Sequence, residues 1–167
     1  MTDAIRDAYS ALRKAAPLGA QDCGKLCGAC CCKGSGNDGM ELFHGEEVRY
    51  AADPGFTVRK ADGRTLLICT GHCRRQDRPL ACRMYPLFPM PVDTPDGTQI
   101  RVVYDVRGAA SCPMVSEQIP ADPRFVRAVR KAGLYLLRDP ENERILKETA
   151  VLFEELVSFA QKIKKEP

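Results

Sequence analysis

Ten residues, Cys23 to Cys32, read CGKLCGACCC and carry five thiols on one short stretch of chain. No other feature constrains the fold as much, because five thiols in ten residues exceed what ordinary core packing uses. Thiolate sulfur is the soft ligand that zinc, copper(I) and iron–sulfur clusters prefer. The spacing Cys23-x3-Cys27-x2-Cys30 sets three sulfurs on one wrapped segment. Gly24 and Gly28, lacking a Cβ, let the backbone turn tightly around a point. Four more cysteines follow, Cys69, Cys73, Cys82 and Cys112, making nine.

Nine is odd, so a complete disulfide framework would leave one thiol over. The N-terminus, MTDAIRDAYSALRKAA, has acids among its first residues and no long apolar stretch, unlike a signal peptide. No run of about 18 apolar residues could span a bilayer. The expectation is a cytoplasmic protein with no membrane partner. In a reducing compartment clustered cysteines point to metal or catalysis before persistent disulfides. A hydrophobic share of 44% and a charged share of 28% are those of a soluble globular chain, and a net charge of +3 does not announce nucleic acid as a partner.

The expected architecture is α+β in a single domain, 1–167. A small, metal-stabilised cysteine-rich half (19–120) with two short β-hairpins is flanked by an N-terminal helix (1–18) and a C-terminal αα-hairpin (121–167). Residues 3–16 carry Ile5, Ala8, Tyr9 and Leu12 at helical spacing. The stretch from Lys33 to Gly39 is a loop by composition, and Gly45-Glu46-Glu47 opens a helical turn. Phe56 to Lys60 and Thr65 to Cys69 flank an Asp62-Gly63 turn, and Met90 to Asp93 pairs with Thr98 to Val106 across residues 94–97. Asp122-Pro123 and Asp139-Pro140 are two helix starts. The second helix has one long apolar stripe: Ile145, Leu146, Thr149, Leu152, Phe153, Leu156, Phe159, Ala160 and Ile163. It packs on the cysteine-bearing half or on a partner, and the core reading is the stronger.

A tetrahedral Zn2+ or a [4Fe-4S] cluster takes four thiolates, or three with a His. The candidate ligands are Cys23, Cys27, Cys30, Cys31, Cys69, Cys73, Cys82 and Cys112. Consecutive side chains diverge, so Cys30 and Cys31 are expected to face two neighbouring sites that the later cysteines complete; one four-Cys site with structural thiols is the alternative. His72, between Cys69 and Cys73, is a candidate substitute ligand, whereas His44 reads as structural. Arg74, Arg75, Arg78 and Arg83 surround Cys73 and Cys82. They suit the excess negative charge of a thiolate cluster better than they suit a nucleic-acid patch, since no exposed aromatics are interleaved. The spacing of the first three cysteines also matches radical S-adenosylmethionine enzymes, but Gly28-Ala29 stands where those have an aromatic, and the chain is too short for their barrel.

Two segments together resemble the cysteine-cluster proteins named for a CxxCxxCC-type motif, regarded as zinc- or iron-chelating. One is Cys23-x3-Cys27-Gly28-Ala29-Cys30-Cys31; the other is Arg78-Pro79-Leu80-Ala81-Cys82-Arg83-Met84-Tyr85-Pro86, similar to that family's RPxxCRxYP signature. Cys69 and Cys73 resemble the pair preceding it, and Cys112 the late cysteine. Cys32 is extra to the pattern, and Arg74 to Asp77 lack an aromatic found there. The resemblance implies a bacterial metal- or cluster-binding protein. A more distant similarity to the cysteine region of flagellin lysine N-methylases raises methyl transfer as an alternative activity. Pro79 and Pro86 would fix the backbone on either side of Cys82, Arg78 and Arg83 would donate to sulfurs or carbonyls, and Tyr85, Leu87 and Phe88 would cover the site or join the core. The chain has no nucleotide-binding glycine loop and no Ser/His/Asp set, so no catalytic residue is singled out. The leading expectation is a metal-binding module; a cluster-dependent enzyme and a zinc-dependent nucleic-acid binder are the rivals.

Overall fold

The structure is a computed structural model that describes residues 1–21, 23–33, 39–69, 71 and 73–163, with the side chains of residues 69 and 163 outside that set. Its six α-helices in the described residues are α1 (Asp3–Leu12), α2 (Gly24–Cys27), α3 (Leu80–Met84), α4 (Pro113–Ser116), α5 (Pro123–Leu136) and α6 (Pro140–Ile163). Its strands are β1 (Met40–Glu41), β2 (Phe56–Ala61), β3 (Arg64–Cys69), β4 (Leu87–Thr94) and β5 (Gly97–Tyr104). The α+β class is thus the one expected.

Thr2 caps α1, its hydroxyl accepting the Ile5 N–H at 3.4 Å. The helix buries Ala4, Ile5, Ala8, Tyr9 and Leu12. It closes four residues earlier than its apolar spacing predicts. The Arg13 and Ala15 N–H groups bond back only three residues, to Ser10 and Leu12, and Pro17 keeps the residue before it out of the helical region.

The strands form two antiparallel sheets, one ordered β1-β3-β2 and the other the β4–β5 ribbon. Asp62 and Gly63, at φ 51° and 74°, join β2 to β3, which is the turn an Asp-Gly pair favours. Leu42, Tyr50 and Leu67 form a small core beneath this sheet with Phe56 and Val58. In the ribbon Thr94 pairs with Gly97 across a two-residue turn. β4 begins three residues earlier than expected, because Leu87 and Phe88 pair with Tyr104 and Val103. β5 ends two residues earlier, because Asp105 caps a 3₁₀ turn at Val106–Gly108 by accepting the Arg107 N–H at 3.1 Å.

The main core lies between the ribbon and the long helices. α5 packs on α1 and on both ribbon strands, and α6 packs on β4 and the 106–108 turn, so each packs on other elements rather than along the other. Phe125, Val129, Ala132 and Leu136 of α5 meet Ile5, Leu12, Leu80, Phe88 and Leu146 in this core. The Phe88 and Phe153 rings stand 4.7 Å apart. Both helix starts behave as their sequences predict: Asp122 accepts the Arg124 N–H at 2.7 Å, and Asp139 accepts those of Glu141 and Asn142 at 3.0 and 3.2 Å. Among the described residues no helix is long and apolar enough to cross a membrane.

Candidate functional site

The cysteine wrap is built from two tight turns separated by two left-handed residues. α2 is a single helical turn closed by Gly28 at φ 58°, and the Ala29 N–H bonds to the Gly24 carbonyl at 2.9 Å. Ala29 is also left-handed, at φ 57°. The chain then makes a 3₁₀ turn over Cys30–Cys32. Two successive left-handed residues reverse the chain and lay the second turn against the first.

Within that wrap the three consecutive thiols separate. The Cys30 Sγ donates to the Cys27 carbonyl at 2.8 Å and so ties the second turn to the first. Cys31 lines a cavity of about 20 Å³ together with Cys23, Cys27 and Cys112, under Tyr85, Pro86 and Met114. Cys32 turns toward Cys73 and the Arg78 guanidinium. Cys31 and Cys32 thus open on neighbouring groups of side chains, while Cys30 is tied to the Cys27 carbonyl. Their sulfurs remain 3.9 Å apart.

Electrostatics follow from this crowding. Although Cys31 is exposed as a residue, burial of its thiol, reinforced by Cys32, Cys27 and Cys23, pushes its pKa up to about 12. A thiol so placed stays protonated unless a cation or hydrogen-bond donor compensates the thiolate. Arg78 is a described cation that feels these sulfurs. Burial works to lower its pKa, but the Cys32 and Cys73 sulfurs beside it raise it overall. Its buried Nε has no hydrogen-bond partner among the described residues.

Cys112 reaches the cavity from a distant part of the chain. The Asp105 N–H bonds to the Pro86 carbonyl at 2.9 Å, fastening the end of β5 to the start of β4. The 3₁₀ turn that follows returns the chain, and the Cys112 N–H bonds to the Gly108 carbonyl at 2.8 Å. Cys112 is buried with Met114, Val115, Leu18 and Tyr85. The Tyr85 hydroxyl lies beside Cys112 and Ser111, and burial first, then the Cys112 sulfur, raises its pKa. A Cβ on Gly108 would lie 2.3 Å from the Tyr85 hydroxyl, so only glycine leaves room for that ring. Tyr85 thus covers the thiols, whereas Leu87 and Phe88 belong to the main core.

The arginines divide in the same way. Arg74 pairs with Asp77 at 2.7 Å on the surface. Arg75 donates to the Ala15 carbonyl. Arg83 is buried; its Nε donates to the Arg78 carbonyl at 3.0 Å, another guanidinium nitrogen to the Gln76 carbonyl, and it lies 4.6 Å over the Tyr9 ring. Arg83 therefore serves carbonyls, and it holds the loop from which Arg78 reaches the thiols. Behind that loop stands a carboxylate that sequence reading leaves at a helical turn: Glu46, fully buried, accepts from the Tyr9 hydroxyl, the Leu80 N–H at 2.7 Å and the Phe43 N–H at 3.1 Å. Burial raises its pKa against the lowering effect of those donors. Its only sequence signal is the phenolic Tyr9 on the apolar face of α1, which needs a buried acceptor.

The remaining candidates are more dispersed. Cys82 is half-buried on α3 and does not line the cavity. The backbone of Cys69 closes β3 opposite Phe56, while its side chain, residues 34–38 of the expected loop and His72 lie outside the described residues. His44 stands 3.1 Å from Asp139 at the start of α6, a structural place. Among the described residues no group of three or more His, Cys, Asp or Glu side chains is drawn together closely enough to hold a metal ion as it stands. Comparison with family models, with curated proteins and with solved structures finds no match for this chain.

Proposed function

We propose that this chain is a metal-binding protein in which Cys23, Cys27, Cys31 and Cys112 take a single zinc ion. The observation that carries this reading is that Cys112 and three cysteines of the 23–32 wrap line one small cavity. Four soft sulfur donors suit zinc and iron alike. The room favours one ion: about 20 Å³ is the space of roughly one water, far less than an eight-atom [4Fe-4S] core fills. Since the thiols are not yet at ligand distance, binding entails a contraction of the wrap. Four thiolates around zinc leave no open position, which makes the site a structural one that contributes to folding.

Cys32 and Cys73 beside Arg78 are the second group, with Cys69 and Cys82 as further candidate ligands. The guanidinium offsets thiolate charge there. The turning of Arg75, Arg78 and Arg83 toward the protein's own carbonyls and thiols weighs for this reading over a nucleic-acid stripe. A reducing, cytoplasmic setting belongs with it, since the thiols must remain unoxidised.

Metal analysis and an absorption spectrum on protein purified without oxygen test the proposal. The expected result is a colourless protein with at least one zinc per chain, released by chelator with a fall in melting temperature. A brown protein with iron, sulfide and a broad band near about 400 nm would replace zinc with a cluster. Protein without metal that also fails to take up added zinc or iron would overturn metal binding altogether.

A further inference from the structure

The second half of α6 leaves the core. Its last core contact is Phe153, and from Glu154 to Lys162 every residue is exposed. The chain there is not polar: Leu156, Val157 and Phe159 keep 39%, 42% and 64% of their surface in solvent. Thr149, Leu152, Leu156 and Phe159 recur at intervals of three and four, the spacing of a coiled-coil seam. Leu146, Phe153 and Ala160 lie on the adjoining stripe, and the first two are spent on the main core. One helix thus carries two apolar stripes, one turned inward and one half-buried at Thr149 and Leu152 and open to solvent at Leu156 and Phe159.

The charges beside the open end of that stripe indicate what covers it. Glu155 and Lys162 are seven residues apart, so both stand on the same flank of the seam, and neither has an ion pair among those of the described residues. In an antiparallel pair of identical helices, packing Leu156 against Phe159 of a second copy brings Glu155 opposite that copy's Lys162, and Lys162 opposite its Glu155. A parallel pair would place Glu155 near Ala160 instead and leave both charges unmatched. The flank is therefore self-complementary in one orientation only. We propose that α6 forms an antiparallel homodimer through Leu152, Leu156 and Phe159, with two Glu155–Lys162 pairs fixing its register. A two-fold interface of this kind is isologous, each copy giving the same patch.

Sedimentation equilibrium on the full chain, across protein concentrations, reads the outcome. The wild type should approach twice 18.5 kDa. F159D should be monomeric with unchanged helical circular dichroism, since that side chain lies outside the core. E155K and K162E should each raise the dimer dissociation constant about tenfold or more by setting like charges opposite one another, and the double exchange E155K/K162E should restore it. The double exchange keeps the proposal testable even where F159D fails to fold. A wild type that stays monomeric to millimolar concentration overturns the proposal, including the case in which the stripe instead binds a different protein. A dimer indifferent to E155K, or one not restored by the double exchange, overturns it equally.

Discussion

The sulfurs of Cys31 and Cys32 lie 3.9 Å apart and open on different surroundings. Cys31 shares a cavity with Cys23, Cys27 and Cys112, while Cys32 lies beside Cys73 and Arg78. Adjacent thiols should therefore fail differently. C31S and C112S should each remove a ligand of the cavity site, weakening its metal affinity by more than about 100-fold and lowering the melting temperature of the metal-loaded protein. C32S should leave that ion in place. Metal stoichiometry of the three variants after dialysis against a weak chelator checks this; equal loss in C32S and C31S would mean that the two thiols serve one site.

Tyr85 and Gly108 should show strong coupling. The Tyr85 hydroxyl is the polar end of that ring beside Cys112 and Ser111, so Y85F should cost at most about 0.5–1.5 kcal/mol in stability. G108A should cost more, because its methyl group would lie 2.3 Å from that hydroxyl and displace the ring. With the hydroxyl removed, part of the collision disappears, and the double variant should be less destabilised than the two single costs combined. Urea denaturation of the four proteins measures the coupling, and strict additivity would show that the ring does not depend on Gly108.

The two left-handed residues of the wrap should respond with opposite signs. At Gly28 an added Cβ meets nothing closer than the Lys33 Nζ at 3.5 Å, so the cost of G28A is conformational, about 1 kcal/mol. At Ala29 the strain is already present, and A29G should stabilise the folded chain by a few tenths to about 1 kcal/mol. Thermal melts of both variants, with and without bound metal, give the two signs. Destabilisation by A29G would mean that the wrap needs the alanine methyl for packing.

What the sequence discloses here is what neighbours along the chain decide. Asp62-Gly63 and the Asp-Pro starts at 122 and 139 are local backbone chemistry, and each produces the element expected of it. The density of thiols likewise marks the wrap. The division of labour among Cys30, Cys31 and Cys32 is not local, because it depends on Ala29 taking a conformation that alanine rarely adopts and on where the 105–112 turn delivers Cys112. Glu46 escapes sequence reading for a related reason. Acids are usually exposed, and two of the three donors that satisfy this one, the Tyr9 hydroxyl and the Leu80 amide, lie 37 residues before it and 34 after it.

That burial gives Glu46 a signature in the pH dependence of stability. Its folded pKa is raised, so below the ordinary carboxylate range the group is protonated in both states and contributes no slope. As pH rises above that range the unfolded chain loses the proton while the folded chain retains it. The unfolded state then binds fewer protons, and stability falls with rising pH until the raised folded value is passed. E46Q cannot titrate and should lack this decline. It should also be less stable at the acid end by about 1–3 kcal/mol, since its amide nitrogen cannot accept the Phe43 N–H and leaves that buried donor unsatisfied. The difference in unfolding free energy between wild type and E46Q, taken at each pH, cancels the contributions of the other acids. It should shrink as pH rises through the window. A difference that is constant across pH would mean that Glu46 titrates alike in both states, and one that grows would mean that its hydrogen bonds outweigh its burial.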